Sequence, residues 1–339
     1  MSTKLTIIDD TPTDTSTGGD EFSFGGVTTD ELSQNAMGGT ELMKYGLYER
    51  LDPELRDQTQ IICSRVREID ESKPTILWLH DTFNDPESQH LVDEEKRKQF
   101  DKLVFVSNYQ KTQYELAFGL KPSEYVILKN CIDPIEEHVK PPAADEINII
   151  YHTTPHRGLD LLVPVFTELC NHHDNITLDV YSSFSIYGWE QRDADYEHLF
   201  EQCRNHPKIN YHGYQPNDVV REALKKAHIF AFPSIWPETS CIAAMEAMSA
   251  RCAIVAPDYA ALPETLAGFG ITYSMHEDVN VHANMFIQAL NQTIQQINTD
   301  EMDNRLDFQK AYADGFYSWN SRISQWESLI KNITAAATS

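Results

Sequence analysis

Basic residues are scarce in this chain of 339 residues. Lys and Arg number 27 against 52 Asp and Glu, a formal net charge of −25. A surface so acidic repels polyanions, which argues against wrapping DNA or RNA unless a local basic patch overrides it. The one basic cluster, Lys96-Arg97-Lys98, follows Asp93-Glu94-Glu95 and reads as a solvated helix face. No apolar run approaches the ~18 residues that cross a bilayer, so no integral membrane segment is expected. The opening MSTKLTIIDD lacks a basic region followed by an apolar core, so no secretory signal is expected and the chain reads as cytoplasmic. The Asn-x-Thr triplets at Asn175, Asn291 and Asn332 then read as chance matches. The six cysteines are widely spaced, form no CxxC pair, and read as reduced, mostly buried thiols.

What is present describes a globular α/β chain. At 41% hydrophobic residues it can bury two cores. Lys4 to Ile8 reads as a strand, and residues 9–37, rich in Thr, Asp, Ser and Gly, read as a long mobile loop. Strand-like and helix-like segments then alternate: QIICSRV, TILWLHD, a helix around Pro86 to Phe100, KLVFVSN, a helix from Tyr109 to Phe118, and YVILKN. Lys140-Pro141-Pro142-Ala143-Ala144-Asp145 is the expected boundary. A second alternating series follows: INIIYHT, a helix Leu159 to Cys170, ITLDVYS, a helix Ala194 to Cys203, INYHG and a helix Asp218 to Ala227. Alternation of this kind implies parallel, doubly wound sheets. The expected division is residues 1–140, residues 147–312, and a closing amphipathic helix within 313–339 that packs back on the body through Trp319, Ile323, Trp326 and Ile330.

The most informative stretch is FAFPSIWPETSCIAAMEAMSARCAIVAPDYAALPET, Phe230 to Thr265. Ile229 to Pro233 reads as a buried strand, and Thr239 or Ser240 can cap a helix from about Cys241 to Ala250. Glu238 then lies on a loop at the carboxyl end of a strand, and Glu246 lies about two turns into the helix that follows. Crevices at such strand ends are where open α/β sheets bind ligands. Among Ala243, Ala244, Met245, Ala247 and Met248, Glu246 is either a buried ligand group or a solvated helix residue. Arg157-Gly158 lies between a strand and a helix, and a helix N-terminus with a guanidinium suits a diphosphate. The other reading of Arg157 is a surface residue. Gly38-Gly39 before a helix is either a plain entry turn or a place where bare N–H groups meet a phosphate. His80 ends TILWLHD, as a structural or a site histidine, with Asp81 beside it.

The Glu-x7-Glu segment within a twice-wound chain resembles the GT-B glycosyltransferases, specifically the retaining family often called family 4, or glycosyl transferases group 1. The resemblance is strongest over Ile147 to Glu264 and moderate at Gly38 to Leu51. It implies two Rossmann-like domains facing across a cleft. Glu238 would lie at the donor sugar hydroxyls, Glu246 at the ribose, and Arg157 with Gly38 and Gly39 at the diphosphate. The backbone of Thr239, Ser240 and Cys241 would join the diphosphate site, Gly213 and Tyr214 would line the base pocket, and His80 would sit close to sugar and acceptor. Glu238, Arg157 and His80 form the expected catalytic set. In place of the second Arg found in many members, this chain has His152, Thr153 and Thr154. Asn130-Cys131-Ile132-Asp133 resembles a structural turn before the linker.

The implied activity is a retaining hexosyltransferase that moves a sugar from a UDP-, GDP- or ADP-linked donor to a glycan or small-molecule acceptor hydroxyl. No cofactor or metal is expected. Asp193-Ala194-Asp195 reads as a helix start, and His152 with His156 reads as loop residues, so neither pair is taken as a metal site. A sugar-nucleotide epimerase or hydrolase of the same fold, and a non-catalytic sugar-nucleotide-binding protein, remain as alternatives.

Overall fold

The structure, a computed structural model, describes residues 23–24, 27–28 and 37–337. Among these, two six-stranded sheets form. The first holds β1 (Ser23–Phe24), β2 (Val27–Thr28), β3 (Gln60–Cys63), β4 (Thr75–Leu79), β5 (Lys102–Phe105) and β6 (Tyr125–Ile127) in sequence order. β1 and β2 run antiparallel and the rest are parallel. The two short strands fall inside the span expected as a loop. The remainder of that span, and the strand expected at Lys4 to Ile8, lie outside the described residues.

The second sheet is all parallel and comprises β7 (Ile147–Tyr151), β8 (Ile176–Val180), β9 (Ile209–Tyr211), β10 (Ile229–Ala231), β11 (Ala253–Pro257) and β12 (Ile271–Tyr273). Its order is β12-β11-β10-β7-β8-β9. The central strands are continuous apolar runs because helices cover both faces and leave no side for water. Around the first sheet lie α1 (Gly39–Arg50), α2 (Pro53–Asp57), α3 (Glu94–Arg97) and α4 (Asn108–Phe118). Around the second lie α5 (Leu159–Leu169), α6 (Glu197–Asn205), α7 (Asn217–Leu224), α8 (Ile242–Ser249), α9 (Leu262–Leu266), α10 (Val279–Gln296) and α11 (Asp300–Phe316).

Two expected helices are broken. Pro86–Val92 and Glu190–Tyr196 are 3-10 segments that precede the short α3 and α6. At the first break Asp93 is extended and its side chain caps α3 through the Glu95 N–H, so local capping overrides a continuous helix.

α12 (Trp319–Ala337) returns from the second half to the first. Trp319, Trp326, Ile330 and Ile333 join Met43, Leu47 and Trp78 in one buried cluster. Trp326 meets Trp78 edge-on, ring centroids 4.8 Å apart. Gly46 of α1 is required by that approach, because a Cβ there would collide with the Trp319 ring. The Asn130 to Asp133 turn is the crossing point of the two halves. The Ile132 N–H donates to the Tyr317 carbonyl at 2.7 Å, and Arg50 Nη2 grips both Asp133 oxygens at 2.9 and 3.0 Å.

Further ties cross between the halves. Glu264 of α9 sits at the N-terminus of α4 and accepts from the N–H groups of Asn108 and Tyr109 at 2.9 and 3.1 Å. It also accepts from Asn108 Nδ2 at 2.7 Å and pairs with Lys129. A carboxylate there meets the positive end of the helix dipole. Despite half-burial, which alone would raise it, the Glu264 pKa is lowered by these donors.

Trp326→Ala removes a fully buried ring that links α12 to the first half. It should cost about 3–5 kcal/mol, read as a lower denaturant midpoint in equilibrium unfolding. An unchanged midpoint would show that α12 is not integral to the core.

Candidate functional site

β7 and β10 are neighbours, yet the chain reaches β10 only after running out through β8 and β9 and returning. The strand order reverses there, and the crevice at the carboxyl ends of such strands is where open α/β sheets take ligands. The loops leaving these two strands, residues 152–158 and 232–241, therefore define the candidate site.

After β7 the chain makes a 3-10 turn, Pro155–Arg157, and Gly158 then caps α5 at φ 110°. Only glycine suits this position, both for its left-handed backbone and because a Cβ would collide with the Pro233 carbonyl oxygen. That approach seats one loop on the other. Arg157 Nη1 donates to Glu238 Oε1, and Arg157 Nε donates to Thr154 Oγ1 at 3.2 Å. Glu238 is 4% exposed. Burial raises the Glu238 pKa against the pull of Arg157. For Arg157 burial works the other way, and the Glu238 carboxylate outweighs it to hold the guanidinium charged.

Two sets of donors at this pair are unused. Among the described residues, Arg157 Nη2 has no acceptor, and nothing accepts from the backbone N–H groups of Thr239, Ser240 and Cys241. Ser240 Oγ is buried and lacks a partner as well. Thr239 and Ser240 do not cap α8, contrary to expectation. Its N-cap is Cys241, which remains extended and makes no side-chain cap bond. The Thr239 hydroxyl is drawn across the cleft instead, donating to the His80 carbonyl at 2.6 Å.

Glu246 is buried, 5% exposed, and not solvated. Arg221 Nη1 donates to it at 2.8 Å and Asn217 Nδ2 at 3.1 Å. Burial raises the Glu246 pKa, and Arg221 then Asn217 oppose that shift. Neither partner was singled out from sequence. Their spacing of four residues on α7 puts both on one helix face, which is the signal that could have found them. Arg221 also donates to the Asp133 carbonyl at 2.8 Å, tying this carboxylate to the turn between the halves.

The other candidates surround this centre. The space beside Gly38 is filled by the Tyr187 ring, and Gly39 packs on Ile242, so the glycine pair brings the start of α1 against the second half. His80 ends β4 with both ring nitrogens unpartnered among the described residues. Burial depresses its pKa to about 3. Asp81 beside it is raised to about 6, first by burial and then by Asp85. Gly213, at φ 62°, and Tyr214 follow β9, the edge strand, about 10 Å along the sheet from β7. Beside them His212 stacks flat on Tyr181 at 4.3 Å and reaches Asp179 at 2.9 Å, a pairing that sequence reasoning missed.

Among the described residues, no group of His, Cys, Asp or Glu converges as metal ligands would. Asp193 instead accepts from the Phe184 N–H at 2.7 Å and holds the 184–187 turn. His152 packs on Phe230 and His156 stacks on Phe184, on separate aromatic supports. No helix among the described residues is long and apolar enough to cross a membrane.

Two parallel, helix-flanked sheets facing a cleft define a GT-B fold, and solved structures share it. A glycosyltransferase from Rickettsia africae superposes with a TM-score of 0.66 at 15% identity, covering 89% of this chain and 84% of that one. The pneumococcal O-GlcNAc transferase GtfA, solved with UDP and GlcNAc, gives 0.60 at 12% identity over 86% of this chain and 60% of that one. By sequence the chain belongs to the glycosyl transferases group 1 family, which it matches over residues 135–312. It is also 22% identical over 241 residues to the GPI3 component of the Saccharomyces cerevisiae phosphatidylinositol N-acetylglucosaminyltransferase, 68% of this chain and 49% of that protein. To the corresponding Arabidopsis thaliana protein it is 27% identical over 234 residues, 67% of this chain and 48% of the relative. The chain thus spans about half the length of the curated relatives it matches.

His80, His152 and His156 have pKa values depressed by burial to about 3, 3 and 2. A depressed histidine stays neutral, so ring signals followed by NMR should show no titration between pH 8 and pH 5. A midpoint near the ordinary ~6.5 for any of them would contradict that burial.

Proposed function

We propose that this chain transfers a sugar from a nucleotide-diphosphate sugar to an acceptor hydroxyl with retention at the anomeric carbon. The observation that carries the reading is the meeting of Arg157, Glu238 and the unused N–H groups of residues 239–241 at the reversal point of the second sheet. A guanidinium and converging backbone donors suit a diphosphate, and they act most strongly on charge that develops as it departs. Arg157 and the start of α8 hold the diphosphate, with Gly38 and Gly39 closing over it. Glu238 orients Arg157 and accepts from the sugar hydroxyls. Glu246 accepts from the ribose with the lone pairs left by Arg221 and Asn217, and Gly213 with Tyr214 lines the base.

In this reading the bond from the anomeric carbon to the diphosphate oxygen breaks while the acceptor oxygen bonds on the same face. The acceptor proton passes to the departing diphosphate. Glu238 is engaged by Arg157, which supports its role as a clamp and not as a carboxylate nucleophile. His80, neutral and unpartnered, lies where it can accept from or donate to the sugar. No metal or cofactor takes part in this scheme. The relatives' names, N-acetylglucosaminyl transfer on one side and UDP binding on the other, make UDP-GlcNAc the first donor to test. Retention is checked by NMR assignment of the product anomer, and product analysis with and without acceptor separates transfer from epimerisation or hydrolysis.

Arg157→Ala should lower kcat by about 10²–10³-fold. Because it strands a buried carboxylate, Arg157→Ala/Glu238→Gln serves as the control for folding. Full turnover in the folded double variant would remove Arg157 from the mechanism. Glu246→Ala should instead weaken nucleoside diphosphate binding by about tenfold or more, as lost hydrogen bonds to a charged group do. Calorimetry showing unchanged affinity would remove the ribose role.

A further inference from the structure

A cavity of about 210 Å³ lies between the halves, bounded by Phe83, Asn84, Tyr109 and Gln113 on one side and by Pro237, Thr239 and Tyr259 on the other. Pro237 and Thr239 flank Glu238, so one wall of the cavity is the loop that carries the proposed donor clamp. It is smaller than the ~300–1,000 Å³ of pockets that take drug-sized ligands, and has room for a single ring.

Its lining is uncharged. Among the described residues no Lys, Arg, Asp or Glu borders it. Burial raises the pKa of both Tyr109 and Tyr259, which keeps their hydroxyls protonated. The nearest charges are carboxylates, since Asp81 adjoins Thr82 and Asp85 adjoins Asn84. A phosphate would therefore meet repulsion and no cation.

The polar groups of the lining divide into used and unused sets. Gln110 is committed, donating to the Leu79 and Asp81 carbonyls and accepting from the Val106 N–H. Thr239 is committed to the His80 carbonyl. By contrast the side chains of Thr82, Asn84, Gln113, Tyr109 and Tyr259 make no hydrogen bond with the described residues. Amides and hydroxyls that both donate and accept, set between aromatic faces, match a ring that carries several hydroxyls on an apolar C–H face.

We infer that this cavity is the acceptor subsite and that it takes an uncharged sugar ring, not a phosphorylated or lipid headgroup acceptor. The inference rests on the glycosyltransferase reading and names the acceptor class for that site. The acceptor hydroxyl would enter past Thr239 toward the sugar held at Glu238.

The test separates binding from transfer. Methyl α-glucoside and methyl N-acetyl-β-glucosaminide, presented to the chain with UDP, should give saturation-transfer NMR signals that Tyr259→Ala and Gln113→Ala each abolish. With UDP-GlcNAc as donor, such a glycoside should accelerate donor turnover. Each variant should raise its KM by about five- to tenfold, while donor hydrolysis without acceptor stays unchanged. Glucose 6-phosphate and phosphatidylinositol vesicles are the anionic arms. Turnover with those arms alone, or KM values unmoved in both variants, would overturn the inference and leave the transferase reading intact. Glycoside binding that the variants abolish, without any donor turnover, would sustain the subsite and sink the transferase reading.

Discussion

A buried ion pair, Arg157 with Glu238, is the contact on which the candidate site depends. It bridges the loops that leave β7 and β10, at the one place in the second sheet where the strand order turns back. Placing a guanidinium and a carboxylate out of water costs several kcal/mol per ion before their attraction repays it. The geometry must therefore be set by something other than the pair itself. Gly158 does this, since its left-handed backbone and missing Cβ let the 152–158 loop rest on the Pro233 carbonyl. Once seated, Arg157 spends one nitrogen on Glu238 and one on Thr154, and keeps Nη2 for a ligand. The ion pair is thus a positioning device for a cation more than a source of stability.

The second half is held against the first by contacts that all end near this site. Thr239 reaches His80, Glu264 caps the start of α4, and Gly38 packs on Tyr187. α12 crosses back and buries Trp326 on Trp78, directly beneath the His80 ring, which lies 4.7 Å from Trp78. The tail helix thereby supports a strand end that faces the cleft. Core packing and site geometry are linked through two residues of β4 and its end, Trp78 and His80.

Much of this was legible in the sequence, and for physical reasons. Runs such as IIC, ILWL and INIIY are apolar throughout because their strands are covered on both faces, so period and length identified them. Glu238 and Glu246 stood out because carboxylates among Ala and Met need partners. The partners themselves did not stand out. Arg221 and Asn217 reach Glu246 from a different helix, and Glu264 meets α4 from more than 150 residues away along the chain. Such pairings depend on how the halves dock, which no local pattern carries. The capping role expected for Thr239 failed for the same reason, because a hydroxyl that can cap locally was claimed by the His80 carbonyl across the cleft. The breaks before α3 and α6 were hidden because the residues around them are good helix formers whose side chains cap elsewhere.

The central claim is that Arg157, fixed by Glu238, receives the diphosphate together with the first turn of α8. A crystal structure with whichever of UDP, GDP or ADP binds most tightly tests it directly. The account predicts diphosphate oxygens within hydrogen-bond distance of Arg157 Nη2 and of the N–H groups of residues 239–241. A diphosphate bound elsewhere, with those groups still unused and the Arg157–Glu238 pair unchanged, would contradict it.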